Sequence, residues 1–290
     1  MARTNPLYRL HELTIRTLYA EVRERAIVAG DLLPGTPGTL VSRAGTGHEY
    51  WYRSYYPLPK KRSEDYVGPV GDEAAYEVMQ NRIAYSDWTA KQVSALAKLG
   101  YQVADKGVAS VLVELHNRKI FEAGLVVVGT LAYMSWLNEY GAMATAARTQ
   151  DVDLARRQTL KLASTVPFLS TMQATQTGPF YDYLLDESSA AAMLAGRHCI
   201  PIRLPQPARM IWHKLYSSTR RTKESAKAEK DLVQAATLAA ILIEQDSVSL
   251  RESFGDAPRE LRSAALARLP RIEVLLAEHP QALDGFRELR

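Results

Sequence analysis

The stretch "GLVVVGTLAYMSWLNEYG", residues 124–141, carries a β-branched apolar run into a second apolar run through Gly129-Thr130. Val126, Val127 and Val128 are the residue type of a short buried strand, and with Leu125 they form an apolar run bounded by Gly124 and Gly129. Leu131 to Tyr140 reads as a helix that Gly141 closes. Where a strand becomes a helix, the first backbone N–H groups have no helical partner. With a threonine hydroxyl beside them they make a seat for phosphate. Glycine at the join lets such a group come close to the backbone. The same join also occurs as plain packing, so its meaning depends on the neighbouring sequence.

Downstream lies "TQDVDLA", residues 149–155. On a strand, Asp151 and Asp153 would share one face and Val152 would turn to the core. Two carboxylates that close repel unless a cation lies between them. Mg²⁺ takes oxygen ligands of this kind and completes its shell with water and phosphate oxygens. The competing reading is surface punctuation, because Thr149 and Asp151 are both good N-caps for a following helix. A phosphate seat and an acid pair on neighbouring strands are together what metal-assisted phosphoryl chemistry requires.

Outward from this centre the chain is largely helical. Residues 5–29, 73–99 and 108–122 have helical spacing, as does everything from Pro207 onward. Residues 39–72 are rich in aromatic and β-branched residues with glycine and proline breaks, which predicts two or three short antiparallel strands. "RRQTLKLASTVPFLSTMQA" and "FYDYLLDESSAAAMLAG" read as helices, the latter ending at Gly196, and "HCIPIRLP" as a second buried strand. The expected fold class is α+β: a small mixed sheet with flanking helices. The expected domains are a helical region with a small sheet over 1–122, a core over 123–206, and a helical region over 207–290.

Composition narrows the class. Of 290 residues, 47% are hydrophobic and 23% charged, as in a folded globular protein. The net charge of +4, with a pI near 9.0, permits a phosphate-bearing partner without requiring one. Cys199 is the only cysteine, so no internal disulfide forms, and His198-Cys199 lacks the second ligand pair of a zinc site. The run from Ala123 to Asn138 is too short to span a bilayer, and that from Leu162 to Tyr181 is too polar. With no secretory signal at the start, a cytoplasmic protein without membrane contact is expected. P-loop and dinucleotide-binding glycine fingerprints are absent.

"VVVGTLAY" followed by "TQDVDLA" resembles the minimal signature of the polymerase β-like nucleotidyltransferase superfamily: an apolar strand, Gly-Gly, Gly-Ser or a variant such as Gly-Thr, a helix, then Asp-apolar-Asp. "HKLYSSTRR" with the Lys230-Asp231-x-x-Gln234 helix is similar to the segment after the core in a bacterial branch of that superfamily, and "GHEYWYRSYY" and "EDYVGP" to its N-terminal sheet. The resemblance runs in pieces from about residue 45 to 245. It implies that Gly129, Thr130 and Lys214 hold the nucleoside triphosphate and that Asp151 and Asp153 are catalytic ligands of Mg²⁺. The implied reaction is attack on the α-phosphate with pyrophosphate leaving. The acceptor stays open between RNA such as tRNA, a protein and a small molecule, and a toxin of a toxin–antitoxin pair is among the settings.

Two departures from the pattern stand out. The 20 residues between Thr130 and Asp151 exceed the shortest family spacing. No apolar-Asp-apolar strand comes later to supply the third carboxylate, since Asp182, Asp186 and Glu187 fall where a helix is expected. The alternative is therefore a catalytically weakened member that binds nucleotide or nucleic acid.

Two further stretches have double readings. Lys223, Lys227, Lys230 and Gln234 share a helix face preceded by Arg220 and Arg221, either gripping phosphates or solvating a surface. "HEYWYRSYYPLPKKR" interleaves tyrosines with basic residues, suiting base stacking or simply strand formation.

Overall fold

The computed structural model describes residues 6–45, 47–58, 60–144, 152–155, 179–221 and 223–288. Its class is α+β, with small antiparallel sheets among helices. The hub is a hairpin of β8 (Ser188–Ala195) and β9 (His198–Pro205), joined by a two-residue turn with Gly196 at φ +57. A positive φ at the first turn position is where a hairpin of this length takes glycine. Residues 191–195 are buried. α1 (Leu13–Val28), α2 (Glu73–Lys98), α3 (Lys106–Asn117) and β5 (Val126–Val127) pack against β9, and α4 (Gly129–Glu139) packs against β8.

β8 corrects the helix expected over "FYDYLLDESSAAAMLAG". Only Tyr181–Leu184 is helical there (α5), and the alanine run beyond it is a strand. Alanine's helix preference is worth only tenths of a kcal/mol per residue. Small side chains suit a strand enclosed on both faces, and hairpin pairing along its whole length outweighs that preference.

The start of the expected helix 5–29 also differs. Tyr8–Leu10 form β1, paired with β6 (Ala142–Ala144), and the helix begins at Leu13. The Leu7 amide donates to His279 Nε2 (3.0 Å), the Tyr8 ring stacks on His279, and its hydroxyl bonds Glu244. Long-range partners thus claim residues that local periodicity assigns to the helix.

The expected antiparallel strands are β2 (Thr39–Ala44), β3 (Glu49–Leu58) and β4 (Lys61–Pro69). Trp51 packs on Tyr76 of α2. Arg53 is fully buried: it donates to the carbonyls of Pro34 (2.7 Å), Thr36 (2.7 Å) and Pro37 (2.9 Å) and pairs with Asp65. It is a structural knot rather than a binding residue. Tyr50, Tyr52 and Tyr66 cluster on the sheet, while Arg43 and Arg62 both clasp Glu64.

The C-terminal part is helical as expected: α6 (Pro207–Arg220), α7 (Ser225–Asp256), α8 (Arg259–Leu275) and α9 (Pro280–Arg287). One continuous core runs from Tyr8 through the hairpin and α4 to Phe286. No helix among the described residues is long and apolar enough to cross a membrane.

Candidate functional site at the start of helix α4

α4 is held by its far end. Asn138 exchanges two 2.8 Å hydrogen bonds with the Gln102 backbone, and Trp136 Nε1 donates to the Pro205 carbonyl (3.1 Å). Glu139 pairs with Arg23 (2.9 Å) and accepts from Tyr19 (2.9 Å) and the Ala192 amide (2.9 Å). These anchors fix the direction of its free N-terminus. No side chain caps that end, where extended Val128 passes into Gly129 at φ +69.

Leu154–Ala155 form β7, antiparallel to β5, with Val126 opposite Ala155 and Val127 opposite Leu154. The Val128 amide donates to the Asp153 carbonyl (2.9 Å) and extends the ladder by one step. Asp153 is thereby laid across the glycine. A Cβ on Gly129 would lie inside contact distance of the carboxylate, 3.0 Å from its Cγ. Glycine is needed here twice, for its left-handed φ and for this approach. Val152 packs against the core, as the alternation predicts. Asp151 lies outside the described residues, as does the helix expected after Ala155, so the structure places one of the two expected carboxylates at the turn.

From the other side come α5, α6 and α7. Lys230 Nζ lies 3.2 Å from the buried Thr130 hydroxyl, bringing a cation to the start of α4. Tyr181 is near enough to Asp153 to feel its charge: burial first, then Asp153, pushes the phenol above its ordinary range. His213 meets Tyr181 edge-on, with centroids 5.2 Å apart, and burial pushes it down to about 4, so it is neutral at pH 7.

Lys214 is buried, with Nζ 3.1 Å from Asp231 Oδ1 and 2.6 Å from Gln234 Oε1. Desolvation lowers its pKa despite Asp231, and Lys230 and Arg221 lower it further. The His-Lys-Leu and Lys-Asp-x-x-Gln stretches thus interlock: Lys214 braces α6 on α7 while Lys230 reaches Thr130. Arg221 Nε lies 3.2 Å from Asp231 Oδ2 as an ion pair outside hydrogen-bond alignment, so this buried oxygen keeps an unused acceptor direction. Lys214 and Arg221 thus both face the Asp231 carboxylate, while Lys230, its neighbour in α7, turns to Thr130.

Sequence reasoning missed Tyr181, and it named Arg221 and Asp231 only as parts of a basic stretch and a helix motif, without the ion pair between them. Asp231 was legible as a counter-charge on a solvated helix or as part of the Lys-Asp-x-x-Gln stretch, and neither reading shows that it is 4% exposed. A lone lysine in the apolar stretch "MIWHKLY" was the available signal, since a buried lysine needs a carboxylate. Of the shared basic face, Lys230 and Gln234 turn inward, whereas Lys227 is exposed and pairs with Glu224. Asp182 is exposed, and Asp186 pairs with Arg209 (3.3 Å). Among the described residues no group of three or more acids, histidines or cysteines could hold a metal.

No curated protein and no solved structure matches the chain. A family model described as nucleotidyltransferase matches residues 106–178 and 164–258, together just over half of the 290 residues. Gly129, Thr130 and Asp153 fall in the first match and Lys214, Lys230 and Asp231 in the second. The two matches bring in, from separate parts of the chain, the turn and the cations that close over it, and the chain belongs to this nucleotidyltransferase family.

Proposed function

We propose that the protein transfers a nucleoside monophosphate from a nucleoside triphosphate to an acceptor, with the start of α4 as the phosphate seat. The observation that carries this reading is the stacking of Asp153 on Gly129 beside the Lys230–Thr130 contact. The Gly129 and Thr130 amides would bind phosphate oxygens that approach over the glycine, where no Cβ stands in the way. Lys230 and Arg221 would neutralise charge on the triphosphate and on the leaving pyrophosphate. Lys214 fixes Asp231 and Gln234, so that α7 presents Lys230 in one position. The ion pair that immobilises Lys214 gives it a positioning role within the nucleotide site.

The donor chemistry fits a hard divalent cation. Asp153 and Thr130 offer oxygens only, and a carboxylate lying across a phosphate seat repels the phosphate unless a cation sits between them. Asp153, with Asp151, would hold Mg²⁺, which when bound supplies charge neutralisation at the α-phosphate. Asp231, next to Lys230 in α7 and with an acceptor direction left on its buried Oδ2, would be the third acid.

Incubation with each NTP labelled at the α-phosphate, Mg²⁺ and total RNA or total protein tests the reading. Label should pass to one acceptor class, and Asp153→Asn should abolish transfer while leaving the circular dichroism spectrum unchanged. NTP binding with no transfer to any class would instead favour the nucleotide-binding module.

A further inference from the structure

A cavity of about 320 Å³ opens where the loop between α1 and β2 meets the start of α3 and the β8–β9 turn. None of Gly129, Thr130, Asp153, Lys214 or Lys230 lines it, so it is separate from the site described above. Its apolar walls come from Tyr56, Pro57, Ala109 and Val113. Its charged groups are Lys106, the first residue of α3, and Arg197, in the hairpin turn, and Thr36, Ser110 and His198 add neutral polar groups.

The charge balance is one-sided. No Asp or Glu lines the cavity. Neither Lys106 nor Arg197 has an acidic partner among the described residues. Arg53 and Arg197 also bear on His198, which burial pushes down to about 4 and which hydrogen-bonds to the Gly35 backbone. At pH 7 it is a neutral, polar wall. Two cations with no acid between them at the rim of an apolar slot make a locally positive potential that favours an anion.

The volume lies at the lower end of the usual range for small-molecule pockets, about 300–1,000 Å³. Inorganic phosphate would meet the cations but leave the apolar walls in water. A ligand that fills the cavity needs both an acidic group and an apolar body. Tyr56, half exposed at the rim, presents a ring on which a flat body can stack.

We propose that this cavity binds a small organic anion with a flat apolar body, its acidic group held by Lys106 and Arg197 and its ring against Tyr56. Nucleoside monophosphates and aromatic carboxylates share this chemistry and differ in the acid and the polarity of the ring. Titration calorimetry and thermal shift with AMP, UMP, benzoate and indole-3-carboxylate, with inorganic phosphate as control, distinguish these sources. At least one of the four should bind at millimolar concentration or below and raise the melting temperature. Lys106→Ala with Arg197→Ala should weaken it by about tenfold or more, the loss expected from two charge-assisted contacts. Tyr56→Ala should weaken it several-fold, and phosphate should bind at least about tenfold more weakly than the best organic anion. Both cations are exposed, so the double variant should fold, and its circular dichroism spectrum checks this. A nucleotide held only at the α4 turn would keep its full affinity in that variant, which would overturn the assignment. So would failure of all four to bind, or phosphate binding as tightly as the organic anions.

Discussion

Gly129→Ala is the substitution that probes most directly whether Asp153 sits on the α4 turn. The structure imposes two separate costs on it. The residue has φ +69, and an L side chain in the left-handed region costs about 1–2 kcal/mol. The new methyl would stand 3.0 Å from Asp153 Cγ and 3.2 Å from its Cβ. Asp153 is tied through its carbonyl to the Val128 amide, so it moves only by straining the β5–β7 ladder, a further cost of about 1–3 kcal/mol. The sum, about 2–5 kcal/mol, corresponds to a fall in melting temperature of roughly 5–15 °C in a chain of this size. Gly30 is an internal control: it has the same φ of +69, and nothing lies within 4 Å of a Cβ built on it. Gly30→Ala should cost the backbone term alone, and the difference between the variants measures the packing against Asp153. Transfer, assayed well below the melting transition, should fall about 100-fold in Gly129→Ala, the penalty for a catalytic group displaced by about 1 Å. It should be unchanged in Gly30→Ala. Equal stability losses at the two glycines, or full transfer by Gly129→Ala, would refute the placement of Asp153.

Lys214→Met removes the donor to buried Asp231 and should cost about 2–4 kcal/mol in urea unfolding, less than a fully isolated charge because Arg221 remains. Lys214→Met with Asp231→Leu should recover most of that loss without recovering transfer; a double variant as unstable as the single one would show that the pair is not self-contained. Lys230→Ala should raise the KM for NTP by about tenfold, while Lys227→Ala, paired in solvent with Glu224, should leave it unchanged. Arg53→Ala strands three carbonyls and Asp65 and should cost at least about 3 kcal/mol, with Arg53→Lys restoring only part of it in the same urea assay. His198 and His213 are both held near 4 when folded and return to about 6.5 when unfolded. The unfolded chain then binds more protons between those values, so stability should fall as pH drops from 6.5 towards 4, by up to about 1.4 kcal/mol per pH unit for each histidine. A flat profile from pH 7 to 5 would show that neither imidazole is buried neutral.

The site turn was readable because its signals are local. A β-branched run ending in glycine marks the β5–α4 join, and alternation puts Val152 in the core and Asp153 out of it. The strand Ser188–Ala195 was not readable, because an alanine-rich run enclosed on both faces has neither period to reveal it. Tyr8–Leu10 failed for a related reason, since the strand's partners lie at residues 142–144 and 279. Lys214 and Asp231 are 17 positions apart across a turn, and nothing in either helix alone shows that the two side chains meet. The family pattern puts a third carboxylate on a later strand, whereas Asp231, proposed for that role, comes from helix α7.

The clasp of Leu7 and Tyr8 onto His279 and Glu244 joins the first described residues to the last helices. Synthesis delivers these partners in the opposite order to need. Of the described elements β1 is made before α7 and α9, and its clasp cannot close until Glu244 and His279 have emerged. Closing a loop of this length comes late in folding, because its entropy must be met before the contacts form. Until then the three-residue β1–β6 pair stands without its clasp, and so short a pair is where a nascent chain is open to wrong strand pairing.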